Sequence, residues 1–90
     1  AFATGGQANG TPVVSPFVNC TVVATAGDSY AIKNYSPRRF AIWNKDSAES
    51  LDLFPTVGGT IDGGAVDAAF AIPAGVGFTV SSIDGSAWLV

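Results

Sequence analysis

The chain has 90 residues, four basic and seven acidic side chains for a net charge of −3, no histidine and one cysteine. That length holds one domain around one modest core, and the charge balance argues against nucleic-acid partners, which need clustered Lys and Arg. With Cys20 as the lone thiol and no imidazole, internal disulfides, thiol or histidine metal staples and Ser-His or Cys-His catalysis are excluded.

Charged residues make up 12% of the chain against roughly 25% in ordinary globular proteins, so its surface is expected to be covered by partner chains. No run approaches the ~18 apolar residues of a membrane span, and the N-terminus has neither a charged nor an apolar leader region. The chain is therefore read as soluble and unexported, without a membrane partner. It starts at Ala1 and lacks methionine, as expected if an initiator Met before a small residue is trimmed after synthesis in a host cytoplasm.

Residues 1–18 mix Pro12 and Pro16 with glycines and isolated Phe2, Val13, Val14 and Phe17. Each proline removes a ladder donor and pushes its predecessor toward extended geometry, which predicts an extended arm rather than a helix or central strand. Its apolar residues either fold back on their own core or dock on a neighbouring subunit.

From Asn19 short β-prone runs alternate with turn clusters, which predicts a single domain over 19–90. Cys20 to Thr25 is the first run, closed by Gly27-Asp28, and Tyr30 to Asn34 the second, closed by Ser36-Pro37. Arg38 to Asn44 alternates Phe40 and Ile42 inward against Arg39, Ala41 and Trp43, and ends in Asn44-Lys45-Asp46-Ser47. Leu51 and Leu53 flank Asp52 in a fourth strand that Pro55 ends; Thr60 to Asp62 is a short extended piece among glycines. Phe70 to Ile72 and Phe78 to Ile83 follow, and Asp84-Gly85 predicts a type I′ hairpin pairing Ala87 to Val90 antiparallel with Phe78 to Ile83. The pattern predicts an all-β fold, a small antiparallel sandwich or flattened barrel with an N-terminal arm. Its expected core is Val22, Ile32, Phe40, Ile42, Leu51, Leu53, Phe70, Ile72, Phe78 and Val80, with Trp43 and Trp88 at a margin or interface, where an indole N–H finds partners.

The order Arg39-Phe40-Ala41-Ile42-Trp43-Asn44, Leu51-Asp52-Leu53-Phe54-Pro55, Gly59-Thr60-Ile61-Asp62-Gly63, then Ala74-Gly75 and Gly85-Ser86-Ala87-Trp88, resembles a β-rich module of phage virion proteins. The resemblance spans about residues 26–90 and extends to modules of head decoration proteins, head fibres and tail proteins. It implies a structural role, commonly as a homotrimer on the virion surface. A free-standing chain with an apolar surface and an arm suits a capsid decoration (cement) protein, whose partners would be the major capsid protein and copies of itself. A tail or baseplate component is the alternative, which differs mainly in location.

No catalytic, metal or cofactor site is expected. Cys20 has no neighbouring cation to activate it and reads as a small core residue. Asp62 and Asp67 sit among glycines and alanines, where turn formation explains them, and the glycine pairs lack the lysine and helix of a phosphate loop. Asn19-Cys20-Thr21 and Asn34-Tyr35-Ser36 match a glycosylation acceptor pattern that has no meaning without secretion. Candidate partner-binding residues are Phe2, Val13, Val14 and Phe17 of the arm, the Arg38-Arg39 pair, which can grip a carboxylate or simply be solvated, and Trp43 and Trp88. Tyr30, Tyr35, Trp43 and Trp88 also allow a reading from another class, a carbohydrate-binding module in which exposed rings stack on sugars, although core packing of the same residues is the plainer reading.

Overall fold

The computed structural model describes residues 10–20, 28–45 and 49–90. Phe2, Val22, most of the expected first strand and part of the turn after Asn44 lie outside the described residues. Those described are all-β, with nine strands: β1 (Thr11–Pro12), β2 (Phe17–Cys20), β3 (Ser29–Ala31), β4 (Arg39–Asn44), β5 (Leu51–Phe54), β6 (Thr60–Ile61), β7 (Phe70–Ile72), β8 (Gly77–Ser81) and β9 (Ala87–Trp88).

They form a four-stranded sheet, β1-β3-β5-β7, a three-stranded sheet, β2-β4-β8, and the pair β6-β9. From β1 to β5 the chain alternates between the two larger sheets, so each strand's neighbour in its sheet is the strand two places away. Strands visited in this way run in the same direction: β1 with β3, β3 with β5 and β2 with β4 are parallel. Only β4 with β8 and β5 with β7 are antiparallel, and β6 with β9 is again parallel. The expected antiparallel architecture is thus corrected to a mixed one. A parallel pair needs a long crossover, usually a helix; here a strand of the opposite sheet serves as the crossover.

Of the two options for the expected arm, residues 10–18 take the first and fold back on their own core. The arm's first nine residues lie outside the described region, but residues 10–18 are built into the body. Pro12 is in a two-residue strand at a sheet edge, where its missing donor costs nothing. The Val13 N–H donates to the Ala31 carbonyl at 3.0 Å, and Ser36 Oγ donates to the Val13 carbonyl at 2.5 Å. The Pro16 carbonyl accepts from Ala41 N–H at 2.9 Å, which aligns β2 along β4.

The hairpin expected at Asp84-Gly85 reduces to one antiparallel bridge between Ser81 and Leu89. Gly85 has φ +82° but Asp84 is not at positive φ, so the turn is not type I′. Instead Asp84 Oδ1 accepts from Ser86 N–H at 2.9 Å and Ala87 N–H at 3.0 Å, which sends β9 alongside β6. The positive-φ pair occurs at Asp62 (+56°) and Gly63 (+75°), closed by Gly64 N–H to the Ile61 carbonyl at 2.9 Å, the pattern of a type I′ turn.

One core joins all three sheets: Val13, Val18, Cys20, Ile32, Phe40, Ile42, Leu51, Leu53, Ile61, Ile72, Val80 and Trp88, with Phe70 and Phe78 half-buried against it. The alternation read over Arg39–Asn44 is present, with Phe40, Ile42 and Asn44 inside. Asn44 is kept inside by donating Nδ2 to the Ile72 carbonyl at 3.0 Å and the Glu49 carbonyl at 2.9 Å, tying the two larger sheets together.

Candidate functional site

The period of two along a strand that sends Phe40 and Ile42 into the core sends Arg39, Ala41 and Trp43 to the outer face of the three-stranded sheet. Register decides what stands beside them. Phe17 of β2 lies opposite Ala41, and Asn19 opposite Trp43; on the other side Thr79 faces Ala41, Gly77 faces Trp43 and Ser81 faces Arg39. Phe17 is 56% exposed and Trp43 is 43% exposed. Between them lie small side chains, so the two rings border a shallow depression lined by Ala41, Gly77 and Thr79.

The Trp43 indole packs over Gly77: a Cβ there would touch its ring at 3.4 Å, an ordinary van der Waals contact. Lys45 Nζ stands 5.0 Å from the Trp43 ring centroid, a cation–π contact on the surface. The face thus combines an exposed aromatic pair with Arg39 and Lys45, both exposed. Val14, also exposed, belongs to a groove that reaches Phe17 from the other side, with Pro12, Asn19 and Tyr30. Burial raises the Tyr30 phenol above its ordinary range, and its electrostatic interaction with nearby Cys20 adds to the effect.

The other candidate residues divide differently. Val13 is 0% exposed and packs in the core, so it offers a partner nothing. Trp88 is 1% exposed, tilts against Phe40 with ring centroids 6.1 Å apart, and donates Nε1–H to Thr56 Oγ1 at 3.3 Å. The expectation that its N–H wants a partner is met inside the protein, which is why it sits in the centre rather than at a margin. Arg38 donates Nη1–H to the Ile83 carbonyl at 2.7 Å and lays its guanidinium over Gly85, so part of its fork is used within the chain. Arg39 is the member of the basic pair that lies on the outer face.

Sequence reasoning passed over Ile83, which is 97% exposed beside Leu89, Ala87, Ser82 and Asp84. The signal was present: Phe78 and Val80 set the inward parity of their strand, and Ile83 falls on the opposite one. Cys20 is buried, in keeping with a small core residue. Asp67 takes a left-handed φ of +61° and accepts from Gly58 N–H at 2.7 Å, closing a loop as its turn reading required. Comparison with protein-family models, curated proteins and solved structures finds no match to this chain.

Proposed function

We propose that this chain is a structural protein of a phage virion, a capsid decoration protein that binds the major capsid protein at capsomer junctions, works as a homotrimer and needs no cofactor. The observation that carries the reading is the simultaneous exposure of Phe17 and Trp43 on one outer sheet face with Arg39 beside them. Aromatic residues and Arg are the side chains that most often anchor protein interfaces. The order of elements from Arg39 to Trp88 that resembles phage virion modules supports the virion setting, and the low charge of the chain suits a surface covered by partners. The work is adhesive: a small net gain at each contact, repeated over many equivalent sites, resists the pressure of a packed genome.

Two measurements test this. Light scattering on the purified chain is expected to return the mass of three copies; a monomer at all concentrations removes the trimer. Co-sedimentation with undecorated capsids is expected to fall about tenfold or more for Trp43→Ala and Phe17→Ala, with unchanged unfolding midpoints, and full binding by both variants defeats the proposed face.

The same two rings support a second reading, a carbohydrate-binding module. Such a module holds two or more aromatics coplanar and open to water, and Phe17 and Trp43 supply the exposure. A glycan screen separates the readings: binding that Trp43→Ala abolishes, without capsid binding, favours the module.

A further inference from the structure

The tripeptide Ile-Asp-Gly occurs twice, as Ile61-Asp62-Gly63 and Ile83-Asp84-Gly85. An Asp-Gly bond is a chemical weak point, because glycine has no Cβ to hinder its amide nitrogen from approaching the preceding carboxyl carbon. The local chemistry of the two sites is the same. A difference in reactivity between them must come from the fold.

Asp84 is exposed, but one oxygen of its carboxylate and the nitrogen that would attack it are both held. Its Oδ1 accepts from Ser86 N–H at 2.9 Å and Ala87 N–H at 3.0 Å, with Ser82 Oγ at 3.3 Å. The nitrogen that would attack, Gly85 N, donates its proton to Ser82 Oγ at 2.8 Å. The Gly85 carbonyl accepts from Thr56 Oγ1 at 2.8 Å, and Arg38 covers the residue. Asp62 is the opposite case. Like Asp84 it is exposed, but its φ of +56° is one that non-glycine residues rarely adopt, and its main-chain anchor is its own N–H to the Trp88 carbonyl at 2.6 Å. Among the described residues neither its carboxylate nor Gly63 N has a hydrogen-bond partner. Rotating the two together breaks the Gly64 N–H to Ile61 carbonyl bond of the turn and no side-chain bond.

We propose that Asp62 is a site of spontaneous isoaspartate formation in the folded protein, and that the fold protects the identical tripeptide at Asp84. Gly63 N attacks Asp62 Cγ, an N–Cγ bond forms, the Cγ–OH bond breaks, and hydroxyl and amide proton leave as water. The resulting five-membered imide then takes up one water. Opening at the former side-chain carbonyl restores aspartate; opening at the main-chain carbonyl leaves isoaspartate, with one extra methylene in the main chain. No oxidant or reductant is involved. The backbone N–H groups of Ser86 and Ala87 also hold the Asp84 carboxyl below the ordinary carboxylate range, which keeps it in the ionised form that releases hydroxide poorly. Because Asp62 N–H anchors the end of β6 to β9, modification loosens the pair that carries Trp88.

The full chain is aged in neutral buffer at physiological temperature, digested, and its isoaspartyl peptides are labelled by an isoaspartyl methyltransferase with radioactive S-adenosylmethionine. The peptide containing residue 62 is expected to carry roughly tenfold or more of the label found at residue 84, since holding one carboxylate by charge-assisted hydrogen bonds is worth about that factor. Chains aged in denaturant are expected to label the two sites equally. Equal labelling in the folded chain, no label at residue 62, or the same excess at residue 62 after ageing in denaturant overturns the proposal. Ser82→Ala, which frees Gly85 N, is expected to raise the label at residue 84; no rise in a variant that still folds overturns the protection.

Discussion

Thr56 shows how much one hydroxyl can hold. Its Oγ1 donates to the Gly85 carbonyl at 2.8 Å and accepts from Trp88 Nε1–H at 3.3 Å, so it joins the loop after β5 to the last strand. Thr56→Val keeps the shape and strands a buried indole N–H, a loss expected at about 1–3 kcal/mol in denaturant unfolding. Trp88→Ala leaves a cavity against Phe40 and is expected to cost about 3–5 kcal/mol. Trp43→Ala changes stability by roughly 0.5 kcal/mol or less, as for a surface site, so the two tryptophans are told apart by one denaturant series. At alkaline pH the Tyr30 phenol matters: its folded value is raised, so its contribution is full below the ordinary tyrosine range and is lost as pH rises through the folded value. Tyr30→Phe is expected to flatten that alkaline decline. Asp84 has the opposite sign: its folded value is lowered, so its contribution is present above the ordinary carboxylate range and fades as pH falls through the folded value.

At the scale of elements, the junction of β6, β9 and the loop between β5 and β6 depends on close approach. Gly59 N–H donates to the Thr56 carbonyl at 2.7 Å, and Thr60 N–H reaches the Ser86 carbonyl at 2.9 Å. A Cβ at Gly59 would collide with the Ser86 carbonyl and with both oxygens of Thr56. Gly59→Ala is therefore expected to lower stability by about 1–3 kcal/mol, as overpacking does, seen as a lower unfolding midpoint with an unchanged slope. A normal midpoint would mean that the backbone there yields. The same junction is where the two Asp-Gly pairs diverge. The turn residues are right for a type I′ reversal at both, but at Asp84 the neighbouring Ser82 and the N–H groups of Ser86 and Ala87 capture the side chain first.

For the whole molecule, the parallel strands bring the early part of the chain into the body. Deleting residues 1–18 removes β1, the buried Val13 and Val18, and half of β2, and is expected to abolish cooperative unfolding followed by circular dichroism. A deletion that stops at residue 9 spares these elements and is the one suited to asking whether the remaining arm contributes to capsid binding. Should the longer deletion unfold with the native midpoint, the β1-β3 and β2-β4 pairings contribute nothing to stability.

The sequence by itself determined the all-β class, most strand positions, and the inward set Phe40, Ile42, Leu51, Leu53, Ile72 and Val80, because alternation and turn residues act locally. It also placed Trp43 away from the dry centre. Only the tertiary structure decided direction and partnership. A period of two is the same whether a neighbour runs parallel or antiparallel, so the winding between two sheets, the capture of Val13 and the burial of Trp88 beside Thr56 were not legible. The outer face was half legible for the same reason: alternation put Arg39 and Trp43 on it, but Phe17 joined them through a parallel register that no local pattern carries.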